Sequence, residues 1–301
     1  MRQSALDTLF SLYEQYPVYT LLGDLGVFQC RSIFQKYPDR ISNFGIMEQS
    51  MVSSAAGLSA GNYYPVIYSI TPFLLDRSFE QIKLDLVYNK NSCLIITAGS
   101  SYDYSKLGPT HFCPHDISSL ISIGFPHIYI PFTSSDCSTF VNDAVVNSHL
   151  SYLRLSSTEL NIIDHFPNHN LSVTNHSLQA PPFTLYRSSS PVSSLALLIS
   201  PDCQYLPPFS SVASMDILCL SHLAFPLDSH LISHLISYDH VHLFAPFDVS
   251  GFLSQLLLSL SNRSLTFTCH TVIVDYLDTS ISKEQIFSDR YVSFSFSTSP
   301  N

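Results

Sequence analysis

The stretch DRISNFGIMEQ (Asp39–Gln49), followed closely by MVSSAAGLSAG (Met51–Gly61), decides the fold of this chain. The first piece contains a short apolar run that predicts a buried strand, and the second is a run of small residues that predicts a helix. Glu48 therefore falls at a strand–helix junction with few water contacts. We expect burial there to favour a protonated carboxyl, which can donate a hydrogen bond to a ring nitrogen. Alternatively, Glu48 only complements the dipole of the first helical turn.

Short apolar runs alternate with helical segments through the first half of the chain. The predicted strands are Val18–Leu22, Ile41–Phe44, Val66–Ile70, Cys93–Thr97, His127–Ile130 and Tyr152–Leu155, and the predicted helices are Val27–Tyr37, Glu48–Ala60, Pro72–Tyr88, Asp116–Ser122 and Ser135–Asn147. This alternation predicts an α/β fold with a parallel sheet covered on both faces. Such sheets bind ligands beyond the carboxyl ends of their strands, where Asp24, Glu48 and His111 would lie.

A second α/β block follows a stretch that is rich in Ser, Asn, His and Pro. Its predicted strands are Leu195–Ser200, Met215–Leu220, His240–Phe244 and Thr268–Val274, with helices at Asp228–Ser237 and Gly251–Ser261. Low periodicity predicts a linker between the blocks. We therefore predict a first domain over residues 1–157, a linker over 158–190 and a second domain over 191–301, each domain a mainly parallel sheet flanked by helices.

Composition narrows the possible functions. The net charge of −10 and the absence of a basic stripe argue against nucleic-acid binding. Seven cysteines without a CxxC pair indicate reduced thiols, the beginning of the chain has no signal-peptide pattern, and no long apolar run predicts a membrane span. We therefore expect a cytoplasmic protein. Only 12% of residues are charged, about half the usual share, which suggests extensive contact with another protein.

Several motifs occur in a recognisable order. They are GDLG (Gly23–Gly26), FQKYPDRISNFGIMEQSMVSSAAGLSAG (Phe34–Gly61), PVIYSITPF (Pro65–Phe73), RSFEQIK (Arg77–Lys83), LGPTHFCPHD (Leu107–Asp116) and SYLRL (Ser151–Leu155). Together they resemble the pyrimidine-binding domain of the transketolase family, which uses thiamine diphosphate. A weaker resemblance to the family's C-terminal domain continues through Phe225–Ile232, His240–Phe252 and Val274–Asp278, so the resemblance covers nearly the whole chain.

The resemblance implies roles for residues around the cofactor. Glu48 of GIMEQ would hydrogen-bond the aminopyrimidine ring and promote the tautomer that acts as an internal base. Phe73 would stack on that ring, with Asp24 and Ile46 as further cofactor contacts. Family members usually carry another aromatic residue where this chain has Ile70. The run Phe79–Gln81 also matches the family, as either a packing surface between subunits or a ligand contact.

The resemblance also implies substrate-binding residues. His111 of GPTH would face the substrate and the reactive end of the cofactor, where an imidazole can donate a hydrogen bond or transfer a proton. Arg154 would contact the substrate. Ser157 stands where family members often carry a phosphate-binding Arg, and Ala245 replaces an acidic residue, so binding of a phosphorylated sugar is in doubt. Arg154 or a partner residue could compensate.

The segment HFCPH offers a different interpretation, because His111, Cys113 and His115 would share one face of an extended chain. Zinc accepts these ligand types. No fourth ligand is close in the sequence, and the spacing matches no common zinc motif. We therefore predict no metal site within this chain.

The chain lacks the family's diphosphate-binding motif, which begins Gly-Asp-Gly. GDLG has Leu25 at the third position, and no other segment supplies the motif. The chain therefore looks like half of an active site. The resemblance implies an N-terminal partner subunit that carries the diphosphate and Mg²⁺ site, in an α2β2 heterotetramer.

We therefore interpret the chain as the C-terminal subunit of a split transketolase-like enzyme, which transfers a two-carbon ketol unit from a ketose-type donor to an aldehyde acceptor. The alternatives are the β-subunit of a 2-oxoacid dehydrogenase and a deoxyxylulose-phosphate-synthase-like carboligase. GPTH and RSFEQIK favour transketolase over both. A non-catalytic paralogue that binds a partner is a third alternative, supported by Ile70, Ser157 and Ala245 and opposed by the joint presence of Glu48 and His111.

Overall fold

The computed structural model describes residues 1–167, 169, 171–174, 182–260, 265–272 and 282–298. The first half contains, in order, α1 (Arg2–Leu12), β1 (Val18–Leu22), α2 (Arg31–Lys36), β2 (Ile41–Asn43), α3 (Glu48–Ala60), β3 (Tyr64–Ile70), α4 (Thr71–Gln81), a π-helical turn (Ile82–Tyr88), β4 (Cys93–Ala98), α5 (Asp116–Ser122), β5 (His127–Tyr129), α6 (Ser134–Val146) and β6 (Leu150–Leu155). The sequence predicted the bounds of α3 and α5 to the residue.

The second half contains α7 (Ile162–His165), β7 (Ser172–Thr174), β8 (Phe183–Arg187), β9 (Ser194–Leu198), β10 (Asp216–Leu220), β11 (His222–Ala224), α8 (Ser229–Leu235), β12 (His240–Phe244), α9 (Ser250–Ser259), β13 (Leu265–Val272), α10 (Lys283–Asp289) and β14 (Tyr291–Thr298). Short 3₁₀ helices cover Pro38–Arg40, Ser105–Leu107, Pro201–Tyr205 and Pro207–Ser214. Residues 273 and 274 of the predicted strand Thr268–Val274, and residue 261 of the predicted helix Gly251–Ser261, lie outside the described residues.

Two seven-stranded sheets confirm the predicted α/β fold class. The strand order of the first sheet is β11-β5-β6-β4-β3-β1-β2, and that of the second is β14-β13-β12-β9-β10-β8-β7. Strands β1 to β6 pair in parallel, as do β9, β10, β12 and β13. The carboxyl ends of β1, β2, β3 and β4 therefore lie along one edge of the first sheet, where the predicted site residues follow them.

The first sheet is completed by a strand from the second half. Strand β11 pairs antiparallel with β5, joining His222 to Tyr129 and Ala224 to His127. The amide of Asp248 also donates to the carbonyl oxygen of Pro114 at 2.8 Å, just before α5. These contacts join the two halves on the side of the sheet that carries α5.

Part of the predicted linker, residues 158–190, is structured. It contains α7, β7 and β8, and β8 pairs antiparallel with β10 in the second sheet. The sequence analysis missed β8 because FTLYR is short and follows a polar, proline-rich stretch. The second sheet therefore begins before residue 191.

Helices cover both faces of the first sheet. Buried residues of α1 and α6 form one core, and those of α3, α4 and α5 form another. The second core continues into β9, β10, β12 and α9, so the two halves share apolar packing. Among the described residues, no helix is long and apolar enough to cross a membrane.

Candidate active site

Glu48 is the first residue of α3 and is completely buried. The short strand β2 and the turn at Gly45 (φ 67°) bring the chain to this position from the carboxyl edge of the sheet. Its Oε2 accepts a hydrogen bond from Arg77 Nη1 at 2.6 Å. Its Oε1 is buried and has no hydrogen-bond partner among the described residues. One carboxyl oxygen is thus held by the protein, while the other has unused hydrogen-bonding capacity.

Phe73 and Arg77 lie on the same face of α4, one helical turn apart. The guanidinium carbon of Arg77 lies 4.6 Å from the centroid of the Phe73 ring, which is cation–π contact. The Arg77 side chain is 41% exposed, although its Glu48 partner is buried. The sequence analysis did not assign a role to Arg77. The four-residue spacing from Phe73, within a predicted helix, was the signal that could have identified it.

His111 reaches the same cluster from the loop that follows β4. Its ring centroid lies 5.2 Å from that of Phe73 in an edge-on arrangement, and its Nδ1 is 2.8 Å from Thr110 Oγ1. The structure therefore brings Glu48, Phe73 and His111 together, with Arg77 as a fourth member. We call these four residues the Glu48 cluster.

Asp24 and Ile46 lie on two neighbouring loops at the same edge of the sheet. Asp24 adopts a left-handed backbone conformation (φ 54°). Asn43 connects the loops, because its side chain donates to Asp24 Oδ1 at 3.1 Å and accepts from the Asp24 amide at 3.0 Å. Ile46 is 70% exposed and, within these loops, Val27, Phe28 and Met47 are exposed as well. Exposed apolar side chains on adjacent loops indicate a surface that contacts another molecule.

Arg154 lies away from the solvent. Its side chain is 1% exposed and forms an ion pair with Asp116 at 2.6 Å, with a further hydrogen bond to Ser101. Burial alone would lower the pKa of Arg154, but the Asp116 carboxylate outweighs it and raises that pKa. This geometry makes Arg154 a scaffold residue and leaves it almost no surface with which to contact a substrate.

The three candidate ligands in HFCPH separate. His111 faces Phe73, whereas Cys113 and His115 lie beside Asp76 of α4. Their Sγ and Nε2 atoms are 3.5 Å and 2.8 Å from Asp76 Oδ1.

The two positions that depart from the family pattern offer no positive charge. Ser157 donates to Asp103 through its amide and its hydroxyl, at 2.8 Å and 2.7 Å. Lys283 pairs with the same Asp103 at 2.5 Å and with Asp202 at 2.6 Å. Ala245 is fully buried at the end of β12.

The family model for the transketolase pyrimidine-binding domain matches residues 3–162, which is more than half of the chain. A parallel sheet with a buried Glu at the start of the helix after β2 is the arrangement that the resemblance implied. The chain belongs to the transketolase family, as a C-terminal subunit.

Curated relatives include subunits of apulose-4-phosphate transketolase. That of Actinobacillus succinogenes is 34% identical over 126 residues, covering 42% of this chain and 40% of the relative. An uncharacterised 33.6 kDa protein of the fasciation locus of Rhodococcoides fascians is 31% identical over 137 residues, 46% of this chain and 44% of that protein. The chain thus spans less than half the length of these relatives.

Solved structures share the fold over a longer span. A split-gene transketolase, an inactive beta4 tetramer, superposes with a TM-score of 0.74 at 18% identity, covering 95% of this chain and 91% of that chain. The transketolase of Campylobacter jejuni gives a TM-score of 0.73 at 14% identity, covering 95% of this chain and 44% of that one.

Proposed function

We propose that the chain is the C-terminal subunit of a split, thiamine-diphosphate-dependent enzyme that transfers a two-carbon ketol unit to an aldehyde acceptor. The observation that carries the proposal is the buried Oε1 of Glu48, which has no partner among the described residues and lies within the Glu48 cluster. A buried polar atom without a partner costs free energy. A ligand that forms a hydrogen bond with Oε1 would recover that free energy.

The residues present suit the aminopyrimidine end of the cofactor. Because Oε2 already accepts from Arg77, the proton that we expect on Glu48 would reside on Oε1 and be donated to the ring nitrogen. Phe73 offers an aromatic wall beside this carboxyl. Bound thiamine diphosphate supplies a nucleophilic carbon that accepts the two-carbon unit.

Arg77 and His111 would act on either side of Phe73. Arg77 holds the Glu48 carboxyl in one orientation through a charged hydrogen bond, so that Oε1 is presented at a fixed position. His111 contacts the edge of the Phe73 ring and can donate a hydrogen bond or transfer a proton at a substrate oxygen. Asp24 and Ile46, at the same edge of the sheet, would border the cofactor.

A second chain would complete the site. This chain lacks a Gly-Asp-Gly motif, so we propose that an N-terminal subunit holds the diphosphate and Mg²⁺, in an α2β2 complex. The exposed apolar side chains of the loops around Asp24 and Ile46 supply a contact surface beside the proposed site. Its relatives include subunits of a larger transketolase, and the split-gene structure is an inactive beta4 tetramer, which is consistent with a chain that needs a partner.

Two alternatives stay open within this proposal. The curated relatives include 1-deoxy-D-xylulose-5-phosphate synthases, such as that of Mycobacterium ulcerans at 35% identity over 86 residues, 29% of this chain and 13% of that protein. A carboligase of that type would use the same Glu48 with a 2-oxoacid donor. A non-catalytic paralogue would bind the partner without turnover.

The test is reconstitution of this chain with an N-terminal subunit and measurement of ketol transfer in the presence of thiamine diphosphate and Mg²⁺. Glu48→Ala should lower kcat by roughly a hundredfold or more, because it removes a proton-transfer group. Light scattering should show an unchanged assembly. Glu14→Ala, which removes an exposed partner of Lys36, is the control and should retain activity.

Near-normal turnover by Glu48→Ala would overturn the role of Glu48. Turnover of a 2-oxoacid donor in place of a ketose would select the carboligase alternative, and wild-type assembly without turnover of either donor would select the non-catalytic one. Calorimetry on the isolated chain should show no tight, Mg²⁺-dependent cofactor binding, and tight binding would contradict the divided site.

A further inference from the structure

We propose that Asp76, Cys113 and His115 form a binding site for Zn²⁺ or a similar thiophilic divalent cation. The three side chains each offer one ligand atom, and these atoms all lie within 4.8 Å of one another. Thiolate, imidazole and carboxylate are the ligand types that zinc accepts in proteins.

The distances between the ligand atoms match a tetrahedral site closely. Zinc bonds of about 2.0 to 2.3 Å at tetrahedral angles place neighbouring ligand atoms about 3.3 to 3.6 Å apart. Cys113 Sγ lies 3.5 Å from Asp76 Oδ1 and 3.6 Å from His115 Nε2. The distance from His115 Nε2 to Asp76 Oδ1 is 2.8 Å and needs to open by only about half an ångström.

Rigid elements hold all three ligands. Asp76 lies on α4, and His115 is the residue that precedes α5. The backbone at Cys113 pairs with Ser101 in an isolated β-bridge, and the Pro114 carbonyl accepts the Asp248 amide. A site whose ligands are already positioned loses little conformational entropy when a metal binds.

Electrostatics and access also favour a dication. Thiolate and carboxylate together carry two negative charges, which a divalent cation neutralises. Burial and the nearby carboxylates of Asp116 and Asp76 raise the pKa of the Cys113 thiol, so a metal ion would displace a proton there. Cys113 is buried, whereas His115 and Asp76 are 34% and 46% exposed, so an ion can enter from their side.

The open side of the site faces a cavity between the two halves of the chain. His115 lines this cavity of about 490 Å³ together with Tyr102, Asp248 and Phe294. Three protein ligands leave the fourth coordination position to water or a small anion, as in zinc sites with an exchangeable ligand. The metal would also cross-link α4 to the loop that carries His111.

Titration of the full chain with Co²⁺ and Zn²⁺ tests the proposal without any activity assay. We expect one equivalent of Co²⁺ to produce a sulfur-to-cobalt charge-transfer absorption that Zn²⁺ displaces. Cys113→Ser should abolish the absorption, and Asp76→Asn and His115→Gln should weaken the affinity by roughly tenfold or more. Asp76 is partly exposed, so its variant is expected to fold even if Cys113→Ser does not.

Cys137→Ser is the matched control, because Cys137 is equally buried but lies on α6 away from the cluster. It should bind Co²⁺ as the wild type does. Absence of the absorption in the wild type, its persistence in Cys113→Ser, or unchanged affinity in both Asp76→Asn and His115→Gln would each overturn the proposal.

Discussion

Two buried carboxylates in the first half each bind an arginine, and the two pairs differ in what they leave unused. Asp116 has both oxygens occupied: Arg154 donates to each, and Tyr152 adds a hydrogen bond to Oδ2. Glu48 has one oxygen held by Arg77, and the other has no partner within the described part of the chain. Each arginine also contacts an aromatic ring, Phe247 for Arg154 and Phe73 for Arg77.

The difference separates a scaffold pair from a pair suited to ligand binding. Arg154 is enclosed, so removal of its partner would leave a charge without solvent. Arg77 is 41% exposed and can be hydrated if Glu48 is lost. We therefore expect the Asp116 pair to govern stability and the Glu48 pair to govern activity.

The largest expected effect is the loss of stability in Asp116→Asn. Breaking a buried ion pair by removing one partner costs about 3–5 kcal/mol, because Arg154 would be left as an uncompensated buried charge. Urea unfolding followed by circular dichroism measures the change, since the chain has no tryptophan.

The double variant Asp116→Leu/Arg154→Met is the control for this prediction. Replacement of both charges by apolar groups should recover much of the loss. If Asp116→Asn costs under about 1 kcal/mol, the pair is not the scaffold element that its geometry indicates.

A pH titration sharpens the comparison, because it probes buried groups that stack on one another. His127 stacks on His149 with ring centroids 4.3 Å apart, and His127 Nδ1 lies 3.2 Å from His222 Nε2 of β11. Burial and the neighbouring His127 lower the pKa of His222 to about 4, against the opposing effect of Asp143. A second stack holds His270, whose pKa burial and His242 also lower to about 4.

The sign follows from linkage. Above about pH 6.5 these histidines are neutral in both the folded and the unfolded state, so their sites cost nothing. As the pH falls from 6.5 towards 4, the unfolded state binds protons that the folded state excludes, and stability decreases. The loss for His222 should approach about 3 kcal/mol, less whatever solvent screening removes.

His222→Gln should reduce this acid-induced loss, as measured by urea unfolding at pH 7 and pH 5. His230→Gln, at an exposed position on α8, serves as the control and should keep the wild-type pH dependence. An identical slope in His222→Gln and in the wild type would show that the stack does not titrate as described.

A smaller effect is expected for the stability of Glu48→Gln. An ion pair with a solvent-exposed arginine contributes at most about 1 kcal/mol, and the amide can still accept from Arg77. Urea unfolding should therefore separate this variant clearly from Asp116→Asn. Equal losses in the two variants would remove the distinction between the pairs.

Most of the first sheet could be predicted from the sequence because its strands are buried and its helices follow a regular alternation. The bounds of α3, α5 and β12 agree with the prediction at both ends. Strand β11 could not be predicted, because three residues carry no periodic signal and their pairing with β5 spans about ninety residues. The structured part of the linker was missed for a related reason, since β8 is formed only by pairing with β10.

The candidate site was partly predictable for a different reason. Glu48, Phe73 and His111 were found through motifs, and the structure places them together. Arg77 was missed because its role depends on the approach of α4 to α3. Arg154 was assigned to the substrate from its motif, whereas its burial depends on Asp116, which is 38 residues away.

The smallest expected effect concerns the choice between phosphorylated and free acceptors, and it applies the comparison to a third buried cation. Lys283 is the cation nearest to Ser157 among the contacts described, yet its ammonium donates to Asp103, Asp202 and Thr158. An ammonium has three donors, so none is left for a phosphate. Lys283 therefore resembles Arg154 and not Arg77. Without a charge-assisted phosphate contact, the complex should show kcat/KM values for matched phosphorylated and dephosphorylated aldehydes that agree within about tenfold. Steady-state kinetics on such a pair tests this. A preference of about a thousandfold for the phosphorylated acceptor would require a positive group from the N-terminal subunit or a rearrangement that frees Lys283.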